Sequence, residues 1–100
     1  MDNFNELTAA EAERLALLLE ELGEAQQAIG KILRHGYGSC HPDTDVSNDY
    51  ALEKELGDVL AAMDLMYNAG DISSHSIQSE KCAKLKRVYL YLHHQREKAE

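Results

Sequence analysis

Residues 17–29 read LLLEELGEAQQAI and residues 52–66 read LEKELGDVLAAMDLM. In both stretches apolar residues return every three or four positions, the period of one helix face. Leu15, Leu18, Leu22, Ala25, Ile29 and Ile32 form a continuous seam on the first helix. Leu52, Leu56, Val59, Met63 and Met66 form the seam of the second. Each stretch also carries two acids three residues apart: Glu21 and Glu24, then Glu55 and Asp58. That spacing puts both members of a pair on one helix face. Each of the four immediately precedes a seam residue, namely Leu22, Ala25, Leu56 or Val59. Both pairs therefore flank their seams on the same side. Antiparallel packing along the seams predicts that four carboxylates converge.

Working outward, Thr8-Ala9-Ala10-Glu11 has capping-box spacing and marks the start of the first helix. Lys31, Arg34 and His35 fall in its last turn, where cations complement the dipole, and Gly36 ends it. Gly23 and Gly30 lie inside this helix, and the reading is that they admit a close helix neighbour. Residues 36–48, GYGSCHPDTDVSN, show no periodicity and form a loop too long for a plain connector. Asn48 is the expected N-cap of the second helix and Gly70 its stop. Ser73 or Ser74 caps a third helix, whose seam is Ile77, Leu85, Val88 and Leu92. Lys81, Lys84, Lys86 and Arg87 make that helix locally basic. The fold expected is all-α, a bundle of about three helices per chain completed by a second copy, because seams this extended need more cover than one chain gives.

A length of 100 residues fits one domain spanning 1–100, with 1–7 and 96–100 as frayed tails. The formal net charge is −8, which argues against long nucleic acid as a partner, since phosphate binding needs a basic face. Cys40 and Cys82 are the two cysteines; they are expected as free thiols, not as a zinc site. No apolar run is long enough for a bilayer span, so no membrane partner is expected. The first residues lack the pattern of a secretory signal, which makes the cytoplasm the expected location.

Acidic residues on helices are commonly a solvated surface, and one Glu-x-x-Glu carries little information. Two such pairs in one register beside apolar seams carry more. Converging carboxylates repel one another, and divalent cations relieve the repulsion. An all-oxygen ligand set suits hard ions, magnesium or alternatively manganese. Glu20 lies four residues before Glu24 and can join the site or support it from outside. A di-iron bundle would need Glu-x-x-His on two helices, and neither Glu24 nor Asp58 is a histidine. Arg34-His35-Gly36 reads as a charged helix end, Cys40-His41 as no site by itself, His93-His94 as surface, and Met63 with Met66 as core.

The order Glu-Glu-x-x-Glu, loop, Glu-x-x-Asp, in LLLEELGEAQQAI and LEKELGDVLAAMDLM, resembles the MazG-like all-alpha nucleoside triphosphate pyrophosphohydrolases. KILRHGYGSCHPD and GDVLAAMDLMYNAGDI look more narrowly like small phage and prophage members, which would place the protein in a host cytoplasm. The resemblance runs from about Leu15 to Tyr89. It implies a helical bundle that forms a homodimer or homotetramer. It also implies cleavage of a nucleoside triphosphate to the monophosphate and pyrophosphate. By position, Glu21, Glu24, Glu55 and Asp58 would hold Mg2+, and Glu20 or Glu24 would orient or deprotonate the attacking water. Lys81, Arg87 and Tyr89 fit the family's basic-then-aromatic spacing; with Lys84 and Lys31 they make up the expected substrate-binding set. Leu85 stands where some members have an asparagine, and without tryptophan any base stacking falls to Tyr37, Tyr50 or Tyr67. Two further functions remain open at this level. One is hydrolysis of another pyrophosphorylated nucleotide such as an alarmone; the other is a non-catalytic helical dimerisation or binding module.

Overall fold

The computed structural model describes residues 4–95. The expected tails at 1–3 and 96–100 lie outside these residues. Three helices follow one another: α1 (Ala9–His35), α2 (Asn48–Ala69) and α3 (Ser74–Arg87), which runs into a 3-10 turn over Val88–Leu90. Among the described residues there is no named strand, and Cys40 and Ser47 form one isolated bridge. No helix is long and apolar enough to cross a membrane.

The helix ends follow from local chemistry. The Thr8 side chain accepts from the Glu11 amide at 3.1 Å, and the Thr8 amide donates to Glu11 Oε1 at 2.8 Å. This capping box satisfies donors that the first turn of α1 would otherwise leave open. Gly36, at φ 88°, closes α1 by donating to the Ile32 carbonyl at 2.7 Å. Gly70, at φ 83°, ends α2 in a left-handed conformation that costs a glycine little. The amides of Gly70 and Asp71 then donate to the carbonyls of Tyr67 and Met66, a Schellman stop. Ser47, not Asn48, is the N-cap of α2; Asn48 is its first helical residue and is buried.

α1 and α2 form an antiparallel hairpin fastened at both ends. At the loop end, Asn48 Nδ2 donates to the Gly36 carbonyl at 3.0 Å. At the open end, Arg14 grips Asp71 through two bonds, Nε–Oδ2 at 2.6 Å and an Nη2 contact to Oδ1 at 3.0 Å. The pair is largely screened from water, with side-chain exposures of 24% and 12%. It holds the Asp71 carboxyl below its ordinary pKa and raises that of Arg14, in both cases chiefly through the hydrogen bond itself.

The buried face of α1 is rotated from the expected one. The core consists of Ala25, Ala28, Val59, Ala62 and Met66. Leu18, Ile32, Leu52 and Met63 are half-buried beside it, as are Glu21 and Glu55. Leu15, Leu22 and Ile29, expected in the seam, remain 41%, 43% and 44% exposed, and Leu56 is exposed as well. On α1 every second seam position has turned outward, and Glu21 and Ala28 take inner places; on α2 only Leu56 has turned out, while Leu52, Val59, Met63 and Met66 keep the expected face and Glu55 and Ala62 join it. Gly23 and Gly30 have no close neighbour either: a Cβ added at either position would meet nothing within 4 Å.

α3 departs from the expected bundle. It buries no residue and has few contacts with the α1–α2 pair. Leu85, Tyr89, Leu90 and Leu92 are all exposed. The radius of gyration is 17.6 Å, against about 13 Å for a compact domain of 100 residues. Within one chain the helices thus make a hairpin and an outlying arm. Removing the α1 cap by Thr8→Ala is expected to lower unfolding stability by about 1 kcal/mol, measured by urea titration, with the helical spectrum otherwise retained.

Candidate metal and nucleotide site

Glu21 and Glu24 on α1 meet Glu55 and Asp58 on α2 in the middle of the hairpin. One carboxylate oxygen from each can be chosen so that all four lie within 4.8 Å of one another, and all four residues are half-buried. The antiparallel arrangement sorts them into two rungs. Glu24 is within hydrogen-bonding reach of Glu55, and Glu21 of Asp58. The Glu24–Glu55 rung is the nearer to the loop. The convergence expected from the spacing is therefore present, although the α1 seam that was to help produce it has turned.

The electrostatics are unfavourable without a counter-ion. Burial raises the pKa of Glu21, and the charges of Asp58, Glu20 and Glu55 raise it further. The hydrogen bond to Glu55 raises that of Glu24, followed by the charge of Glu21 and by burial. Glu55 Oε2 is buried with no hydrogen-bond partner. A buried carboxylate oxygen without a donor is costly, and a cation removes that cost. Four oxygen donors with no sulfur or imidazole suit a hard divalent ion, so the residues fit such a metal.

Sequence reading missed a nearby cation, Lys54. Its Nζ lies 3.2 Å from Asp58 Oδ2 and 3.6 Å from Glu55 Oε1. The four-residue spacing from Lys54 to Asp58 was a readable signal, since such pairs share a helix face. Lys54 is exposed and offsets only part of the cluster's charge.

Lys31 is brought to the cluster. With Glu24, Gln27, Ala28, Asn48, Ala51 and Glu55 it lines a cleft of about 250 Å3. Glu21 and Asp58 open on a second cleft, lined also by Leu17, Ala61, Ala62 and Leu65. Glu20 lines neither cleft; its charge bears on Glu21 and Glu24 from outside. Lys81, Lys84, Arg87 and Tyr89 also line neither, because α3 stands off the hairpin that carries the cluster.

Fold and site together define an all-helical protein with a four-carboxylate cluster between two helices, beside a cleft with a lysine on its wall. Residues 10–92 match the family model described as the MazG nucleotide pyrophosphohydrolase domain. The chain belongs to that family, and so to the hydrolases that act on phosphoric anhydrides of nucleotides. No curated protein and no solved structure matches it.

The raised carboxyls fix the sign of a pH effect. A carboxyl whose folded pKa lies above its unfolded value destabilises the fold when ionised, and the penalty fades as pH falls through the folded value. Metal-free protein is therefore expected to gain melting temperature as pH falls from neutral towards the ordinary carboxylate range, with a divalent ion flattening or reversing the slope. Asp71 does not mask this. Its depressed pKa contributes stability that is lost only below the ordinary carboxylate range. Thermal melts in EDTA and in magnesium across that range provide the measurement.

Proposed function

We propose that this protein hydrolyses nucleoside or deoxynucleoside triphosphates to the monophosphate and pyrophosphate, with magnesium held by Glu21, Glu24, Glu55 and Asp58. The observation that carries the reading is the four-carboxylate cluster with its orphaned Glu55 oxygen, beside a cleft that Lys31 lines. Manganese has the same ligand preferences and is the expected substitute. Bound there, the metal would clamp phosphate oxygens and lower the pKa of the water that attacks phosphorus.

The chain's own groups do the rest. Lys31 faces the phosphate chain from the cleft wall and offsets its charge. Glu24 is the better placed of the two candidate bases: it lines the cleft, where a carboxylate oxygen left free by the metal can orient or deprotonate the water. Glu20 acts on it through charge alone. The bond broken is the anhydride between the α and β phosphates, and pyrophosphate leaves.

Self-association belongs to the same proposal. Leu15, Leu22, Ile29 and Leu56 stay exposed on the hairpin, and α3 leaves its apolar residues uncovered. Apolar helix faces of this extent call for a partner. The basic arm of one copy, with Lys81, Lys84 and Arg87, complements the acidic hairpin of another. Tyr89 and those cations thereby reach a site from which they are remote in their own chain. A dimer is the smallest assembly that satisfies this, and a tetramer repeats it.

Pyrophosphate release from a panel of nucleoside triphosphates is expected with magnesium, absent with EDTA, and reduced at least a hundredfold in Glu55→Gln. Orthophosphate as the product would overturn the reading. Light scattering is expected to give a multiple of the 11.2 kDa chain mass, and Ile29→Glu to shift it towards the single chain. A monomeric wild-type protein would remove the second copy from the site.

A further inference from the structure

The loop between α1 and α2 borders a half-open cavity of about 650 Å3. Loop and helix α2 are tied together by the chain itself. The amides of Asn48 and Asp49 donate to the carbonyls of Ser39 and Tyr37, and the His41 amide donates to the Val46 carbonyl. The cavity is thus preformed. It also adjoins the carboxylate cleft: Lys31, Asn48 and Ala51 line both. Asn48 is 8% exposed, the one buried polar residue among those described. Its Nδ2 donates to the Gly36 carbonyl, and its Oδ1 has no hydrogen-bond donor among the described residues.

Lys31 and Arg34 also border a neighbouring groove with Gln27 and Gly30, and neither forms an ion pair among the described residues. Cys40, Pro42, Val46 and Ala51 give apolar walls. The His41 ring is fixed by the Asp43 amide, which donates to Nδ1 at 3.0 Å. A neutral imidazole accepting at Nδ1 carries its proton on Nε2, leaving that donor for a ligand.

We propose that this loop cavity receives the nucleoside end of the substrate, with the triphosphate running past Arg34 and Lys31 to the carboxylate cluster. The inference rests on the triphosphate hydrolase reading and adds a direction to it: the substrate lies along the hairpin with its base at the loop. Glu24 and Arg34 are ten residues apart, about 15 Å along the helix, a span an extended nucleoside triphosphate covers. Phosphates are the poorer occupants of the cavity itself, because apolar walls would strip their hydration. A flat base with polar edges suits such walls, with Asn48 Oδ1 and His41 as edge partners. The volume lies within the ordinary range for small-molecule sites.

The test separates this inference from the reaction. Side-chain NMR of His35 and His41 is followed while AMP, CMP, GMP, UMP or inorganic pyrophosphate is added with magnesium. At least one monophosphate is expected to shift both histidines, and pyrophosphate neither. Val46→Trp and Ser39→Trp, which fill the cavity at two separate walls, are expected to weaken that monophosphate at least tenfold and to raise KM for the matching triphosphate by a similar factor. Histidines silent to all four monophosphates, or equally responsive to pyrophosphate, would overturn the assignment. So would an unchanged KM in both folded variants. If the histidines respond but no triphosphate is turned over, the cavity stands and the hydrolase reading falls; turnover with silent histidines means the reverse.

Discussion

Everything in this molecule turns on four carboxylates held together between two helices. Like charges at that separation push the helices apart unless something offsets them. The chain supplies a few offsets of its own. Alanines at 25, 28 and 62 line the hairpin core without side-chain bulk, and the loop and the Arg14–Asp71 clamp fasten its two ends. Lys54 neutralises part of the outer rung. What remains is a raised pKa at Glu21 and Glu24 and an unpartnered oxygen on Glu55. That residual imbalance is one that a bound cation would relieve.

The same constraint explains the outward leucines. Helix faces have limited room, and a face that presents Glu21 and Glu55 inward has to present Leu15, Leu22, Ile29 and Leu56 elsewhere. The hairpin therefore carries four half-buried acids beside a small apolar core and leaves larger apolar side chains exposed. α3 continues the pattern, basic on its polar side and apolar where it touches little of its own chain. A single chain of this size buries too little to be comfortable alone.

Much of this was readable in the chain before folding. The capping box at Thr8–Glu11 and the stop at Gly70 follow from local hydrogen bonding, which needs no tertiary context. The carboxylate pairs were legible because a spacing of three is a statement about one helix. The inner face of α1 was not. Leu18, Ala25 and Ile32 belong to two overlapping seams, one completed by Leu15, Leu22 and Ile29, the other by Glu21 and Ala28. Periodicity favours the leucines, because it weighs hydrophobicity and has no knowledge of the opposing helix. Lys54 was passed over for a related reason: an isolated lysine on a helix says nothing until its neighbour's oxygen is located.

By itself, then, the sequence determined the three helices, the start of α1, the stop of α2, the family and the spacing of the four acids, all of which depend on contacts between near neighbours in the chain. Only the tertiary structure decided which stripe of α1 went inside and that α3 stands clear of its own hairpin. It also decided that the irregular loop borders a cavity continuous with the acidic cleft through Lys31, Asn48 and Ala51. These are relations between residues distant in sequence. They are set by which surfaces can approach without clash or unrelieved charge, and no local pattern encodes that balance.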